Sequence, residues 1–234
     1  MLNRPYIICH MVMSIDGKVT GDFLYTPECA TATEEYYRIN REYQADAFAC
    51  GSITMEGSFT EHFQPDLFKF TGVKMDRQDY VADAEAAYYA VSFDRTGRVG
   101  FRQARIYDED PGCNDAHIIE VLCERVSDAY LAYLRNVGIS YIFAGKEEMN
   151  VTLAVEKLFK LFGIRKLMLE GGSIINGAFQ RESLVDELSL VQASVIAGAE
   201  SKPLFENSVI EDYKLVKADI LSDSVNWFNY KKAE

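Results

Sequence analysis

Apolar residues recur along the chain in two rhythms, one strand-like and one helical. The run from Tyr6 to Met13 is almost wholly apolar and β-forming, which predicts a buried first strand, and Asp16-Gly17 marks the turn after it. Thr31-Ala-Thr-Glu34 fits a capping box and predicts a helix from there to about Tyr43, with Tyr36, Ile39 and Tyr43 facing inward. Asp46 to Cys50 predicts a short strand, followed by Gly51-Ser52 and a helical turn around Thr54. From Gly57 to Arg77 no period holds, and two readings stay open: a mobile flap over a site, or a packed loop. Asp79 to Ala87 is acidic and polar and predicts surface.

Beyond it, Tyr88 to Phe93 reads as a strand, Asp94 to Arg98 as a turn, His117 to Cys123 as a strand, Asp128 to Asn136 as a helix and Tyr141 to Ala144 as a strand. Asn150 is placed to cap a helix whose Val151, Ala154, Val155, Leu158, Phe159 and Phe162 fall on one face. Lys166 to Glu170 predicts a strand, and the helix after it is expected to end near Arg181. Leu188 to Val195, Tyr213 to Leu221 and Val225 to Tyr230 predict three further strands, the last two antiparallel. The β–α–β alternation with extra strands at the end predicts a three-layer α/β fold around a mixed, mostly parallel sheet. No linker or repeat interrupts it, so 1–234 reads as one domain.

Composition narrows the function. Hydrophobic residues make up 48% of the 234, enough for a full core. The net charge of −12 speaks against binding a nucleic-acid backbone, which requires clustered Lys and Arg. Cys9, Cys29, Cys50, Cys113 and Cys123 form no C-x-x-C pair and several lie in apolar runs, so they read as buried thiols in a reducing compartment. His10, His62 and His117 are far apart in sequence, and no metal site is expected. The N-terminus lacks a signal-peptide pattern and no apolar stretch is long enough to span a bilayer, so a cytoplasmic protein without membrane contact is expected.

The stretch Leu167 to Gly177 (LMLEGGSIING) carries the most chemistry. An apolar strand ends in a carboxylate, two glycines follow, and a helix begins at once. Glycines let backbone approach a ligand, and the first turn of a helix offers unpaired amides and partial positive charge, a site for a phosphate. Glu170 sits at the carboxyl end of its strand, where ligands of open α/β sheets bind. A carboxylate there is costly unless paired or hydrogen-bonded.

Four motifs in order resemble one family. They are Met13-Ser-Ile-Asp-Gly-Lys18, then Asp46-Ala-Phe-Ala-Cys-Gly-Ser-Ile-Thr54, then Phe93-Asp-Arg-Thr-Gly-Arg98, and finally the stretch from Leu167 to Gly198 with Glu-Gly-Gly, Asn-Gly-Ala-Phe and Leu-Val-Asp-Glu-Leu. The sequence resembles the reductase domain of riboflavin biosynthesis proteins, the RibD C-terminal domain. That resemblance implies a dihydrofolate-reductase-like fold, NADPH as cofactor and commonly a homodimer. The zinc deaminase motifs that often accompany the domain, His-x-Glu and Pro-Cys-x-x-Cys, do not occur, which implies a stand-alone reductase.

Residue by residue, the resemblance implies that Gly171, Gly172, Ser173, Ile174, Ile175 and Asn176 wrap the cofactor diphosphate. Thr54 matches a cofactor-contacting threonine, a role that can hold together with that of a cap or first-turn hydroxyl, and Val12 matches a position whose backbone meets the nicotinamide, with a plain core valine as the equal alternative. Arg95, and with less support Arg98, follow a strand end where a guanidinium suits the adenosine 2′-phosphate. Asp16, Lys18, Thr26 and Glu170 match substrate contacts, with Lys18 and Glu170 as the catalytic pair. Two positions depart from the pattern. Glu42 stands, with Arg41 beside it, where the family has an arginine for the substrate's ribose phosphate, and Ser58-Phe59 replace an acidic residue and a proline. The implied reaction is hydride transfer to the anomeric carbon of a ribosylaminopyrimidine. Reduction of a pterin, dihydrofolate or another small molecule, and dinucleotide binding without turnover, remain the other readings.

Overall fold

The computed structural model describes residues 3–222 and 224–233. In chain order it contains β1 (Tyr6–Met13), α1 (Pro27–Tyr43), β2 (Ala47–Gly51), α2 (Ser52–Phe59), β3 (Tyr89–Phe93), β4 (Arg105–Ile106), β5 (Ala116–Leu122), α3 (Asp128–Val137), β6 (Ser140–Phe143), α4 (Val151–Phe162), β7 (Lys166–Leu169), α5 (Ser173–Arg181), β8 (Glu187–Ala193), β9 (Tyr213–Ser222) and β10 (Val225–Lys232). Short 3-10 turns cover Asp22–Tyr25 and Leu67–Phe70. The fold is mixed α/β, with mostly parallel strands and antiparallel pairing at the C-terminal end. The chain forms two compact units, one built on Asp46–Arg165 and one on Tyr6–Ala45 with Lys166–Glu234.

In the first unit β2, β3, β5 and β6 pair in parallel in that order, and β4 joins β5 antiparallel. β3, β5 and β6 are buried throughout, as expected of parallel strands covered on both faces. The helices are set by their ends. Ser127 and Asn150 accept the Tyr130 and Leu153 amides as N-caps of α3 and α4, and both helices stop at a left-handed glycine, Gly138 and Gly163.

In the second unit β1 lies between β7 and β8, parallel to both, and β8, β10 and β9 continue as antiparallel neighbours. Helix α1 covers one face of this sheet. Its Cys29, Ala32 and Ile39 pack with Val12, Val191 and Ala193, and Tyr36 and Tyr43 border the cluster. His10, fully buried, stacks on Tyr36 at 4.3 Å between ring centroids and gives Nε2 to the Tyr36 carbonyl. Its Nδ1 meets the Ser189 hydroxyl, which also accepts the Trp227 indole N–H.

Several expectations need correction. Helix α1 starts at Pro27, four residues before the capping box read at Thr31. Thr26 is extended and Pro27, at the first helical position, has its φ preset and no amide to satisfy, so it outcompetes the later signal. The turn around Thr54 is a full helix running to Phe59, which takes the first residues of the Gly57–Arg77 segment. β4 was not foreseen; two residues are too few to show a period. Asp79, read as surface, is half-buried, accepts the Phe143 amide and pairs with Lys157 at 2.8 Å. All five cysteines are free and buried, as read from the sequence.

Candidate active site

Strand β7 ends at Leu169 and delivers Glu170 to its C-terminal tip, one residue past the strand. Glu170 is half-buried, and its Oε1 accepts the side-chain amide of Asn40, a buried residue on α1. Gly171 follows with φ +94, and the Gly171–Gly172 peptide is cis. A side chain at Gly171 would combine that left-handed φ with a methyl 3.0 Å from Met11 Cε. Gly172 is then the N-cap of α5 and has no side chain with which to cover the helix amides.

The first turn of α5 is held by backbone from far along the chain. The Glu206 amide donates to the Ser173 carbonyl at 3.0 Å, and Asn176 Nδ2 donates to the Leu204 carbonyl at 3.2 Å. Gly177 lets that segment come close: a Cβ there would stand 1.9 Å from the Glu206 carbonyl oxygen. Two side-chain atoms in this turn, Ser173 Oγ and Asn176 Oδ1, are buried with no hydrogen-bond partner among the described residues. Buried polar atoms are normally paired, so orphaned ones at an uncapped helix start fit a ligand that brings acceptors and donors with it.

The loop after β1 carries Asp16 and Lys18. Asp16 accepts the Ser14 hydroxyl (2.6 Å) and the Ala197 and Gly198 amides (2.9 and 3.2 Å). Those donors, the Ser14 hydroxyl first and the Ala197 amide next, hold its carboxyl below the usual carboxylate range. Asp16 is thus a clamp between this loop and the 197–198 turn. The clamp continues as Val19 N to Lys202 O, Lys202 N to Thr20 Oγ1 and Leu204 N to Gly17 O. Lys18 is half-buried as a residue, and its ammonium has no ion-pair partner among the described residues. Thr26 donates its hydroxyl to the Phe23 carbonyl at 2.8 Å, and the Val12 side chain lies in the α1 core.

Thr54 and Arg95 belong to the first unit. Thr54 is half-buried in the first turn of α2, after the uncapped N-terminus at Gly51, and Arg95 pairs with Glu148 on the surface at 2.7 Å. Arg98 is committed elsewhere: Nε and Nη2 reach both oxygens of Glu56, a buried carboxylate of α2. Asp94 accepts the amides of Thr96, Gly97, Arg98 and Val99, which makes the 94–99 turn rigid. Neither Asn40 nor the Glu56–Arg98 pair was read from the sequence. A faint signal for Asn40 exists: it stands four residues after Tyr36, on the apolar stripe of α1, where a polar residue must find a partner.

The whole pattern matches the model of the RibD C-terminal domain over residues 5–227. The chain belongs to the RibD C-terminal domain family. Among curated relatives, a 2,5-diamino-6-ribosylamino-4(3H)-pyrimidinone 5′-phosphate reductase from Aquifex aeolicus is 34% identical over 89 residues, 38% of this chain and 39% of that protein. The match therefore spans about two fifths of the relative's length. Among solved structures, a pyrimidine reductase-like protein from Corynebacterium diphtheriae has a TM-score of 0.69 at 18% identity, covering 99% of this chain and 93% of that one. RibD from Acinetobacter baumannii has 0.66 at 17% over 99% and 59%. The riboflavin biosynthesis reductase Rib7 from Saccharomyces cerevisiae has 0.63 at 15% over 100% and 92%. These structural likenesses concern the fold, which agrees with the one read from the sequence.

Proposed function

We propose that this chain is an NADPH-dependent reductase of the riboflavin pathway type, acting on a ribosylaminopyrimidine. The observation that carries the reading is the uncapped start of α5, with Ser173 Oγ and Asn176 Oδ1 buried and unpaired, directly after a carboxylate that Asn40 holds in place. The residues present fit a dinucleotide diphosphate: the amides of Ser173, Ile174 and Ile175 would hold it, and Gly171 and Gly172 leave room for its approach. NADPH, when bound, supplies the hydride. Lys18 orients the sugar through its ammonium. Glu170 holds a proton for the sugar oxygen as the ring opens, and Asn40 fixes the carboxylate's direction. Asp16 keeps the Lys18 loop in place, and Thr26 closes the substrate side. The roles of Val12, Thr54 and Arg95 rest on the resemblance alone, and the reading does not depend on them.

The family match runs through both compact units, which supports treating 1–234 as one reductase domain. No helix among the described residues is long and apolar enough to cross a membrane. The working form is a homodimer.

Steady-state NADPH oxidation tests the reading, with the ribosylaminopyrimidine in phosphorylated and dephosphorylated forms and dihydrofolate as the comparison. Turnover with a ribosylaminopyrimidine and loss of it in Glu170→Gln are expected. Turnover with dihydrofolate alone would replace the substrate. NADPH binding without oxidation of any of them would leave a dinucleotide-binding module.

A further inference from the structure

Strand β1 reads Tyr-Ile-Ile-Cys-His-Met-Val-Met, and His10 is the one polar interruption of its buried stretch. An apolar side chain would pack there without losing hydration, so a fully buried imidazole between the sheet and α1 calls for a reason. Its hydrogen bonds supply one. The Tyr36 carbonyl, 2.9 Å from Nε2, can only accept, so Nε2 carries the proton. Nδ1 of the neutral ring then accepts the hydroxyl of Ser189, its partner in the β1–β8 register, at 2.9 Å. The Ser189 carbonyl, 3.1 Å from Nδ1, would be an acceptor for the charged ring alone.

The Tyr36 carbonyl is also the one that the Asn40 amide reaches in the i to i−4 pattern of α1. A carbonyl has two lone pairs, and here one serves the helix and the other His10. On the far side of Asn40, the Tyr43 carbonyl accepts the ammonium of Lys166, the first residue of β7, at 2.6 Å. The stretch that carries Asn40 is therefore tethered by its backbone on both sides, to β1 and to β7. Apolar packing has no direction and lets a helix roll or slide on a sheet, whereas a hydrogen bond sets a distance and an angle. The Asn40 side chain has to meet the Glu170 carboxylate at the tip of β7, which requires that the turn beneath it stay in place.

We propose that His10 is a positioning residue: by holding the Tyr36 carbonyl it sets the turn that carries Asn40, and through Asn40 the direction of the Glu170 carboxylate. The ring also lies nearly parallel to that of Tyr36, at 5° between planes, which resists rotation of the same turn. Lys166 is half-buried, so water can stand in for its tether; His10 has no exposure, and nothing replaces its bond. The role in the reaction rests on the reading of Glu170 as the carboxylate that handles a proton.

The carboxyl carbon of Glu170, followed by NMR in glutamate-labelled protein and identified by its loss in Glu170→Gln, reports the coupling in the ligand-free chain. The Asn40 amide favours the charged carboxylate, so Asn40→Ala raises the titration midpoint. His10→Phe keeps a ring on Tyr36 and removes both nitrogens. It is expected to raise the midpoint as well, by about half a pH unit, and to add nothing in the Asn40→Ala background. His10→Gln, whose amide nitrogen takes the place of Nε2, is expected to recover most of the wild-type midpoint. In NADPH oxidation, kcat is expected to fall about threefold in His10→Phe with KM for NADPH unchanged. If His10→Phe does not fold, Ser189→Ala, which frees Nδ1, replaces it with the same expected direction. A lowered melting temperature in His10→Phe beside an unmoved Glu170 midpoint overturns the proposal, as do shifts that add in the double variant. A moved midpoint with unchanged or absent NADPH turnover bears on the reductase reading and leaves the tether standing.

Discussion

Asn40 donates its side-chain amide to the Glu170 carboxylate, linking the middle of α1 to the tip of β7. Removing that donor from a buried site costs about 1–3 kcal/mol, so Asn40→Ala is expected to lower the urea midpoint accordingly. Asn40→Asp tests the functional side. A second carboxyl beside Glu170 pushes one of the two upward in pKa. The acid limb of NADPH oxidation is therefore expected to move to higher pH in the Asp variant; an unmoved limb would remove Glu170 from the proton-handling step.

Gly177 sits inside α5, where alanine would ordinarily gain about 1 kcal/mol of helix propensity. Here the added methyl falls 1.9 Å from the Glu206 carbonyl oxygen, and that neighbour is backbone. The clash dominates. Gly177→Ala is expected to destabilise by about 3 kcal/mol or more in equilibrium denaturation.

Ser173→Ala separates stability from ligand binding. The hydroxyl is buried without a partner among the described residues, so its loss is expected to leave the melting temperature of the free protein unchanged or raised. If the hydroxyl serves the cofactor, NADPH affinity measured by calorimetry falls about fivefold, the equivalent of one hydrogen bond of ~1 kcal/mol. A lowered melting temperature with unchanged affinity would contradict both halves.

His10 governs an acid limb of stability. Burial drives its pKa down to about 4, against hydrogen bonds to the Tyr36 and Ser189 backbone carbonyls that favour the charged form. The folded state therefore prefers the neutral ring. Its contribution is fully present above the ordinary value of about 6.5 and is lost as pH falls toward 4, up to about 3 kcal/mol in total. His10→Gln is expected to flatten the stability profile across that window. Comparison of slopes, not of absolute stabilities, makes the measurement independent of the lost stacking.

Glu120 governs the opposite limb. It lies in the middle of β5, fully buried, with neither oxygen paired among the described residues. Burial raises its pKa well above the usual carboxylate range, and the nearby Asp94 charge adds to this. Stability from the neutral form is present below the unfolded carboxyl value and is lost as pH rises through the folded one. Glu120→Gln is expected to gain on the wild type as pH increases, read from thermal melts across a pH series. Parallel curves would show that Glu120 stays in one protonation state throughout.

Local signals carried most of the fold. Asn150 caps α4 as its position before Val151, Ala154 and Val155 announces, and the apolar run of β1 matches Tyr6–Met13 to the residue. Signals failed where two competed, as Pro27 did with Thr31, or where an element was too short to have a period, as in β4. At the site, Glu-Gly-Gly was legible because glycine pairs and strand ends have local causes. The Asn40–Glu170 bond spans 130 residues, and the approach of Glu206 to Gly177 is equally non-local, so neither has a signature in a window of sequence. Arg98 shows the converse: its position suggested a phosphate contact, yet Glu56, 42 residues away, takes the guanidinium.

The 197–206 stretch is stitched on one side to the loop of Asp16 and Lys18 and on the other to the opening turn of α5. Residues assigned to substrate and residues assigned to cofactor therefore hang from a single connecting thread. Lengthening that thread by even one residue would throw both groups out of alignment together, so this surface connection is a poor place for the insertions that loops commonly accept.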